Sequence, residues 1–356
     1  MPCSVDEFLY HSGPILDVRS PGEYAQGHLP GARSLPLFSD DERAQVGTCY
    51  KRQGREAAVE LGLELVGPKL VSLVRQTKAW STDEAGVGNS VRVHCWRGGM
   101  RSSSVAWLLE TAGLSPVVLE GGYKAFRRWV RATLSEIKPI ISLGGMTGTG
   151  KTQVLSALAA QGEQVLDLEG LAHHRGSSYG SLGLPPQPTN EQFENRVAMA
   201  WSRFTSQQPI WIEAESRRIG SCRVPDELFQ PMLQASVVQI MRSPEERIAL
   251  LADEYGEADP AELIAATERI RKRLGGLRTQ QAIDAIHQGD LSTAIALVLS
   301  YYDRTYRYDL DQRHVPVKEI DVTGIDPEQA AVRLRQMVHD TAYEAVPISD
   351  RVSKAG

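Results

Sequence analysis

The stretch GMTGTGKT at residues 145–152 constrains the fold of this chain more than any other. It has the pattern G-x-x-x-x-G-K-[ST], follows an apolar run at 140–143 and precedes a helical pattern, which is the strand, loop and helix order that a phosphate-binding P-loop requires. Backbone N–H groups of such a loop surround a diphosphate. The lysine adds positive charge, and the last hydroxyl can hold Mg²⁺. The predicted diphosphate-binding residues are Gly145, Thr147, Gly148, Thr149, Gly150, Lys151 and Thr152.

The chain from residue 140 onward alternates between strand and helix patterns. Strands are predicted at 140–143, 164–168, 210–213, 236–241 and 317–322, and helices at 191–206, 226–234 and 327–344. This alternation predicts a parallel sheet with helices on both faces. Ser243, Asp259 and Asp326 each precede a proline and an acidic or amide residue, the signature of a helix start. The last third is therefore predicted to be mostly helical.

A second loop, around Cys95, lies between a predicted strand at 91–93 and a predicted helix at 104–109. Loop N–H groups and the helix N-terminus favour the thiolate form of a cysteine placed there. Arg97 and Arg101 add positive charge, and Gly98 and Gly99 let the backbone bend toward an anion. Five residues separate Cys95 from Arg101, which leaves open a bare sulfur or selenium atom or a larger tetrahedral oxyanion as the ligand.

Length and composition predict two domains, because 356 residues with 42% hydrophobic side chains exceed one typical globular domain. We place them at 1–136 and 137–356. The four cysteines lie far apart without a C-x-x-C pair, which argues against a disulfide framework or a zinc site. With no export signal and no membrane-spanning run, a cytoplasmic protein is expected. The net charge of −5 offers no general attraction for RNA, so local clusters would have to bind it.

Several stretches are candidates for substrate or RNA contact. Residues 166–180 lie at the carboxyl end of the strand after the P-loop, where ligands bind in open α/β sheets, and His173 or Arg175 could contact phosphate or RNA there. A metal at His173 and His174 is disfavoured, since neighbouring side chains point apart and no third ligand is near in sequence. Further candidate contacts are Tyr50, Gly62, Arg217 and Arg218. A solvated helix pair is the alternative for the segment around Tyr50.

Two other stretches bear on the chemistry. The stretch from the predicted strand at 210–213 onward stands where nucleotide hydrolases carry an aspartate, but it offers Glu213 and Glu215, which argues against ATP hydrolysis. These glutamates either orient Mg²⁺ or pair with Arg217 and Arg218. Residues 301–308 interleave tyrosines with basic residues; we favour an amphipathic helix with its tyrosines in the core over a base-stacking surface.

The N-terminal half resembles the rhodanese domain. The resemblance is carried by DVR at 17–19, EY at 23–24, GHLPGA at 27–32 and the cysteine loop at 95–102. The stretches at 46–51, 95–102, 119–125, 167–177 and 301–303 are similar to the bacterial tRNA 2-selenouridine synthase family, over essentially the whole chain. The resemblance implies an α/β fold: a rhodanese-like domain, then a P-loop NTPase-like parallel-sheet domain with a mostly helical C-terminal part.

The resemblance also implies a reaction: conversion of the wobble 2-thiouridine of tRNA to 2-selenouridine with selenophosphate, by way of S-geranyl-2-thiouridine made from geranyl diphosphate. Cys95 would be catalytic and would accept or guide the selenium. Selenophosphate would bind Arg97, Gly98, Gly99, Met100 and Arg101. Expected partners are tRNA, the two co-substrates and selenophosphate synthetase, without a membrane. Mg²⁺ is a candidate cofactor; no tightly bound cofactor and no metal site are expected.

The residues alone leave other classes open. An ATP-dependent tRNA sulfurtransferase would need nucleotide turnover. A fused phosphatase and kinase fits the five-residue spacing of the Cys95 loop together with the P-loop. A regulatory RNA-binding ATPase would not depend on Cys95.

Overall fold

The structure, a computed structural model, describes residues 2–83, 88–214, 216–311 and 315–340. The described chain forms two compact units. The first comprises the residues up to Leu134 together with Glu191–Met199, and the second comprises Ser135–Asn190 and the residues from Ala200 onward.

The first unit contains one five-stranded sheet, in which every pair of neighbouring strands is parallel. Its strands are β1 (Pro2–Cys3), β2 (Ile15–Asp17), β3 (Ala32–Ser34), β4 (Ser90–His94) and β5 (Ser115–Leu119). The order across the sheet is β1-β5-β4-β2-β3. The accompanying helices are α1 (Val5–Tyr10), α2 (Pro21–Gln26), α3 (Asp40–Gln53), α4 (Arg55–Val66), α5 (Leu70–Asp83), α6 (Met100–Thr111) and α7 (Gly122–Leu134). Loops at the carboxyl ends of β2 and β4 therefore lie side by side.

The second unit is built on another parallel five-stranded sheet, of order β12-β11-β6-β8-β7. Its strands, together with a separate β9–β10 hairpin, are β6 (Ile140–Gly144), β7 (Gln164–Leu166), β8 (Ile210–Glu213), β9 (Arg218–Ile219), β10 (Cys222–Arg223), β11 (Ser236–Met241) and β12 (Val317–Asp321). The helices that follow in the chain are α8 (Lys151–Ala160), α9 (Leu168–Ala172), α10 (Asn190–Trp201), α11 (Asp226–Gln234), α12 (Pro244–Tyr255), α13 (Pro260–Arg269), α14 (Arg271–Leu274), α15 (Gly276–His287), α16 (Leu291–Asp311) and α17 (Pro327–Asp340).

The predicted fold class is confirmed, and the local signals that predicted it act as expected. The side chains of Ser243, Asp259 and Asp326 accept N–H groups of the first turns of α12, α13 and α17. Such caps satisfy donors that the helix cannot satisfy itself. The predicted helix at 327–344 begins at Pro327, and its last four residues lie outside the described part of the chain.

Helix α10 differs from prediction in its length and in its partners. It ends at Trp201 rather than at residue 206, and most of it groups with the first unit although its sequence lies within the second. Its buried Gln192 and Asn195 explain this grouping. Gln192 accepts the N–H of His28, and Asn195 donates to the His28 carbonyl oxygen at 3.0 Å. Pairing of buried amides with these partners satisfies groups that would be costly to leave unpaired.

None of the helices in the described ranges is both long enough and apolar enough to cross a membrane.

Candidate functional site

Cys95 directly follows β4, and α6 begins five residues later at Met100. The start of α7 holds this loop from the other side. The N–H of Tyr123 donates to the Cys95 carbonyl oxygen at 2.8 Å, and that of Lys124 to the Trp96 carbonyl oxygen at 3.0 Å. The backbone around the sulfur is therefore fixed by two hydrogen bonds from α7, a helix that begins more than 20 residues later in the chain.

Two glycines make this close approach of backbones possible. Gly98 has φ +65° and Gly122 has φ +57°, both in the left-handed region. A Cβ on Gly98 would lie 2.7 Å from the Leu119 carbonyl oxygen, and one on Gly122 would lie 2.3 Å from the Cys95 carbonyl oxygen. Gly98 is thus required by the packing of the loop, whereas nothing lies within 4 Å of a Cβ added to Gly99.

The thiol of Cys95 is buried, with 3% of the residue exposed, and the Ser102 hydroxyl lies 3.2 Å from its sulfur. Burial opposes ionisation. Hydrogen bonds from the Ser102 hydroxyl and from the N–H groups of Arg97 and Ser102, with the charge of Arg101, outweigh it and lower the pKa of Cys95 below its ordinary value. A lowered pKa increases the share of the nucleophilic thiolate at any pH below the ordinary value.

Replacing Ser102 by alanine is expected to raise the pKa of Cys95, because the thiolate loses its side-chain hydrogen-bond donor. Thiolate absorbance measured against pH, with the Cys95→Ala protein subtracted, reports this directly. The matched control is Ser103→Ala, which changes an exposed serine in the same helical turn. A titration identical to that of the unaltered protein would remove Ser102 from the group that stabilises the thiolate.

The positive charge expected around Cys95 is only partly available. Arg97 and Met100 are exposed at the loop surface. Arg101 donates instead to the Glu23 carboxylate at 2.9 Å, and Arg43 lies 3.2 Å from the same oxygen. Arg101 therefore acts on the sulfur from within an ion pair, and Arg97 is the more accessible cation for an incoming anion.

A buried ion pair lies beside the Cys95 loop. Arg19 and Asp17 are fully buried and join at 2.6 Å, and Arg19 also donates to the Gly27 carbonyl oxygen. The Arg19 guanidinium lies 3.8 Å from the centre of the Tyr123 ring, and Trp96 lies beyond it at 5.9 Å. Cation–π contacts of this kind stabilise the arrangement of the aromatic rings. Arg19 of the DVR motif therefore packs against Tyr123, whose N–H holds the cysteine loop.

The P-loop connects β6 to α8 in the second unit, as predicted. Gly148 and Gly150 have φ of +81° and +86°, and Lys151 is the first residue of the helix. The Lys151 ammonium donates to the Gly145 carbonyl oxygen at 2.9 Å, folded over its own loop. The Gly145 N–H donates to the Tyr306 hydroxyl at 2.7 Å. The loop therefore has the shape and the cation that a diphosphate requires.

Two arginines that the sequence analysis did not identify hold the P-loop in place. Arg242 donates to the Thr149 carbonyl oxygen at 3.2 Å, and Arg247 donates to the Thr147 carbonyl oxygen at 2.9 Å. The buried Arg247 is itself held by both carboxylate oxygens of Asp303. These arginine bonds use loop carbonyl groups and occupy none of the loop N–H groups, of which that of Gly145 donates to the Tyr306 hydroxyl and that of Thr149 to the Met146 carbonyl oxygen.

Oxygen ligands suited to Mg²⁺ lie at the start of α8. The Thr152 hydroxyl is 3.4 Å from the Glu169 carboxylate, which is buried. Glu213, at the end of β8, is fully buried and accepts the N–H of Leu168. Hydroxyl and carboxylate oxygens are the ligands that this cation prefers. Glu215 lies outside the described residues.

Of the two histidines and the arginine after β7, His173 and Arg175 have partners within the second unit. His173 adopts φ 52° and its Nδ1 lies 3.0 Å from the Pro186 carbonyl oxygen. His174 is buried, close to Gly180 and Gly220. Arg175 pairs with Glu254 at 2.6 Å and donates to the Leu182 carbonyl oxygen. These contacts hold Arg175 in the loop, with 30% of its side chain exposed.

The remaining candidate contacts lie at the surface of their own elements. Tyr50, on α3, is 58% exposed, and Gly62, on α4, lies over the ring of Phe38. Arg217, just before β9, pairs with Asp226, and Arg218, the first residue of β9, is exposed.

Tyrosines at the centre of α16 pack in the core, as we favoured. Tyr301 is 9% exposed, and the Tyr302 hydroxyl accepts the N–H of Ser178 at 2.9 Å. The side chains of residues 307–311 are outside the described part of the structure.

Comparisons with known proteins agree with both halves of the structure. The family model described as "tRNA 2-selenouridine synthase AAA domain" matches residues 138–324, and the rhodanese-like domain model matches residues 4–128. A tRNA 2-selenouridine synthase of Marinobacter nauticus is 37% identical over 334 residues, covering 84% of this chain and 89% of the relative. One of Hydrogenovibrio crunogenus is 39% identical over 344 residues, covering 87% and 92%.

Among solved structures, an N-terminal domain from Clostridium difficile 630 is 36% identical. It covers 36% of this chain and 98% of its own, with a TM-score of 0.34. On the family model and the near full-length relatives, the chain belongs to the tRNA 2-selenouridine synthase family.

Proposed function

We propose that this chain converts 2-thiouridine at the wobble position of tRNA to 2-selenouridine, first by S-geranylation and then by exchange of the geranylthio group for selenium. The observation that carries the proposal is the presence of two features in one chain. One is the buried Cys95 thiol, whose pKa is lowered by hydrogen bonds within its loop. The other is a P-loop in a sheet whose strand β8 ends without an aspartate. The relatives named as tRNA 2-selenouridine synthases support it.

The first step is assigned to the P-loop. The thiocarbonyl sulfur attacks the allylic carbon of geranyl diphosphate, a C–S bond forms, and the C–O bond breaks as diphosphate leaves with the electron pair. The N3 proton of the base is released. Lys151 and the loop N–H groups stabilise the negative charge that develops on the leaving group. No nucleotide is hydrolysed in this step.

Mg²⁺ fits the oxygen groups beside the loop. Thr152 and Glu169 would hold it, and when bound it would neutralise charge on the diphosphate.

The second step is assigned to the Cys95 loop. A bond from the sulfur of Cys95 to selenium would have to expel phosphorus as phosphite, with phosphorus reduced from P(V) to P(III), which makes it a poor leaving group. Attack at phosphorus avoids this: an S–P bond forms, the P–Se bond breaks, and the electron pair leaves with selenide. Water then hydrolyses the cysteinyl phosphate and regenerates the thiol. The lowered pKa of Cys95 and the five-residue spacing to Arg101 favour this role.

Selenide then adds to C2 of the geranylated base, and geranylthiolate leaves with the electrons of the C–S bond. Alkylation makes this exchange feasible, since it converts a poor leaving group into a thiolate and removes the anionic character of the sulfur. Arg97, the loop glycines Gly98 and Gly99, Met100 and Arg101 surround the donor in this proposal.

The tRNA must reach both loops, and exposed residues are the candidates for its contacts. We assign Arg218 and Tyr50 to tRNA binding, since a cation and an aromatic ring at the surface suit phosphate and base contacts. Selenophosphate synthetase is proposed as the partner that supplies the selenium donor, and the cytoplasm as the compartment.

Analysis of tRNA nucleosides by mass spectrometry tests the proposal. Incubation of 2-thiouridine tRNA with the protein and geranyl diphosphate is expected to yield S-geranyl-2-thiouridine, and added selenophosphate to yield 2-selenouridine. Formation of 2-selenouridine at the same rate when geranyl diphosphate is omitted would contradict the two-step order.

A further inference from the structure

A buried hydrogen-bond network connects helix α10 to the residue that holds the Cys95 loop. The Asn195 amide donates to the Tyr123 hydroxyl at 2.9 Å and to the His28 carbonyl oxygen at 3.0 Å. The Tyr123 hydroxyl in turn donates to the Glu191 carboxylate at 2.8 Å. Both Asn195 and Tyr123 are fully buried. Glu191 and Asn195, one helical turn apart, therefore fix the residue whose N–H holds the Cys95 carbonyl oxygen.

We infer that Asn195 is a positioning residue for Cys95 and that it acts through Tyr123. The inference rests on the function proposed above, in which the Cys95 thiolate attacks selenophosphate. Asn195 lies beyond the range 1–136 that the sequence predicts for the rhodanese-like domain, but Glu191–Met199 belongs to the first unit. A helix whose sequence lies among the segments of the second unit thus completes the surroundings of the thiol.

The ring of Tyr123 links its hydroxyl to the cysteine loop. The Arg19 guanidinium lies 3.8 Å from the centre of this ring, and the centre of the Trp96 ring lies 5.8 Å from it. A buried ring packed among such neighbours cannot turn without displacing them. Gly122, the preceding residue, leaves no free space either, since a Cβ there would lie 2.3 Å from the Cys95 carbonyl oxygen. A shift of the hydroxyl therefore moves the loop backbone.

The direction of each hydrogen bond in the network is defined. Burial, together with the negative charge of Glu191, raises the pKa of Tyr123, so its hydroxyl keeps its proton and donates it to Glu191. The same hydroxyl accepts an N–H of Asn195, whose Oδ1 accepts the Arg127 guanidinium at 2.5 Å. An aspartate at this position has the same shape but no N–H to donate to Tyr123 or to the His28 carbonyl oxygen.

The Gly27–His28 pair of the rhodanese-like motif provides the surface against which α10 packs. A Cβ on Gly27 would lie 2.8 Å from the Tyr123 hydroxyl and 2.8 Å from a Glu191 carboxylate oxygen. The N–H of His28 donates to the Gln192 side chain at 2.8 Å. A side chain at position 27 would therefore separate Tyr123 from α10.

Selenation of tRNA that already carries S-geranyl-2-thiouridine, measured with the full-length protein at varied selenophosphate concentration, provides the test. Tyr123→Phe keeps the ring and the N–H and is expected to lower kcat about fivefold, the effect of one ordinary hydrogen bond. Asn195→Asp is expected to lower kcat roughly 10- to 100-fold, because small displacements of a reacting group are costly. The KM for selenophosphate should stay unchanged. The double variant should be no slower than Asn195→Asp, since both changes break the same contact.

The matched control is Val197→Ala, which removes buried aliphatic atoms from the same helix. It is expected to lower the melting temperature while kcat stays at the value of the unaltered protein. Thiolate absorbance against pH, with the Cys95→Ala signal subtracted, adds a readout that needs no substrate. In Asn195→Asp the Cys95 titration should move to higher pH, because the loop N–H groups no longer converge on the sulfur.

The outcomes separate this inference from the proposed function. An unchanged kcat and an unchanged Cys95 titration in both Asn195→Asp and Tyr123→Phe would overturn the positioning role and leave the proposed function standing. Full selenation by Cys95→Ala would overturn the proposed function, whereas a shifted Cys95 titration in Asn195→Asp would still support the positioning role. A loss of kcat in Val197→Ala as large as that in Tyr123→Phe would reduce Asn195 to a residue that only stabilises the fold.

Discussion

Lys151→Ala is expected to slow geranyl transfer to 2-thiouridine tRNA by roughly 10²- to 10³-fold, the usual effect of removing one charged group that stabilises a leaving group. In the structure the ammonium donates to the Gly145 carbonyl oxygen, so it lies at the loop before any ligand arrives. Its movement from that carbonyl to the leaving diphosphate requires no change in the backbone.

The distinguishing measurement supplies tRNA that already carries S-geranyl-2-thiouridine. Because this substrate bypasses the P-loop step, Lys151→Ala is expected to convert it to 2-selenouridine at the normal rate. Lys272→Ala, a change of charge on α14 in the same unit, is the matched control and is expected to have no effect on either step. Equal loss of both steps in Lys151→Ala would mean that the P-loop is not dedicated to geranyl transfer.

The features predicted from sequence are those set by neighbours in the chain. Each of these features, namely the P-loop, the cysteine loop and the three helix caps, depends on residues within a few positions of one another. The local sequence pattern was therefore sufficient to predict them. For the same reason, the sequence was sufficient to predict that the Thr152 hydroxyl can hold Mg²⁺. Its partner Glu169 lies 17 residues away, and its position at the first turn after β7 was the available signal.

Contacts between distant segments account for what the sequence did not reveal. Arg242 and Arg247 reach the P-loop from about 100 residues away, and no local pattern distinguishes them from surface arginines. The neutralising contact of Glu23 with Arg101 spans 78 residues. Arg175, a candidate for RNA contact, proves to be paired with Glu254. In each case the charge was visible in the sequence but its partner was not.

Cys95→Ala is expected to lower the rate of 2-selenouridine formation by at least about 10³-fold. Without the attacking nucleophile, only substrate binding and orientation remain to accelerate the reaction. Geranylation should continue, so S-geranyl-2-thiouridine accumulates. In the unaltered protein, selenation should rise with pH through the lowered pKa of Cys95 and then level off, because the thiolate is the active form. In Ser102→Ala this rise should move to higher pH.

Two further results decide the role of the sulfur. Intact-protein mass spectrometry after brief exposure to selenophosphate should detect one phosphoryl group on the unaltered protein and none on Cys95→Ala. Cys49→Ala, which changes a cysteine on α3, should behave like the unaltered protein in every assay. Full selenation by Cys95→Ala would refute its catalytic role, and a selenium adduct in place of the phosphoryl group would show that the thiolate attacks selenium rather than phosphorus.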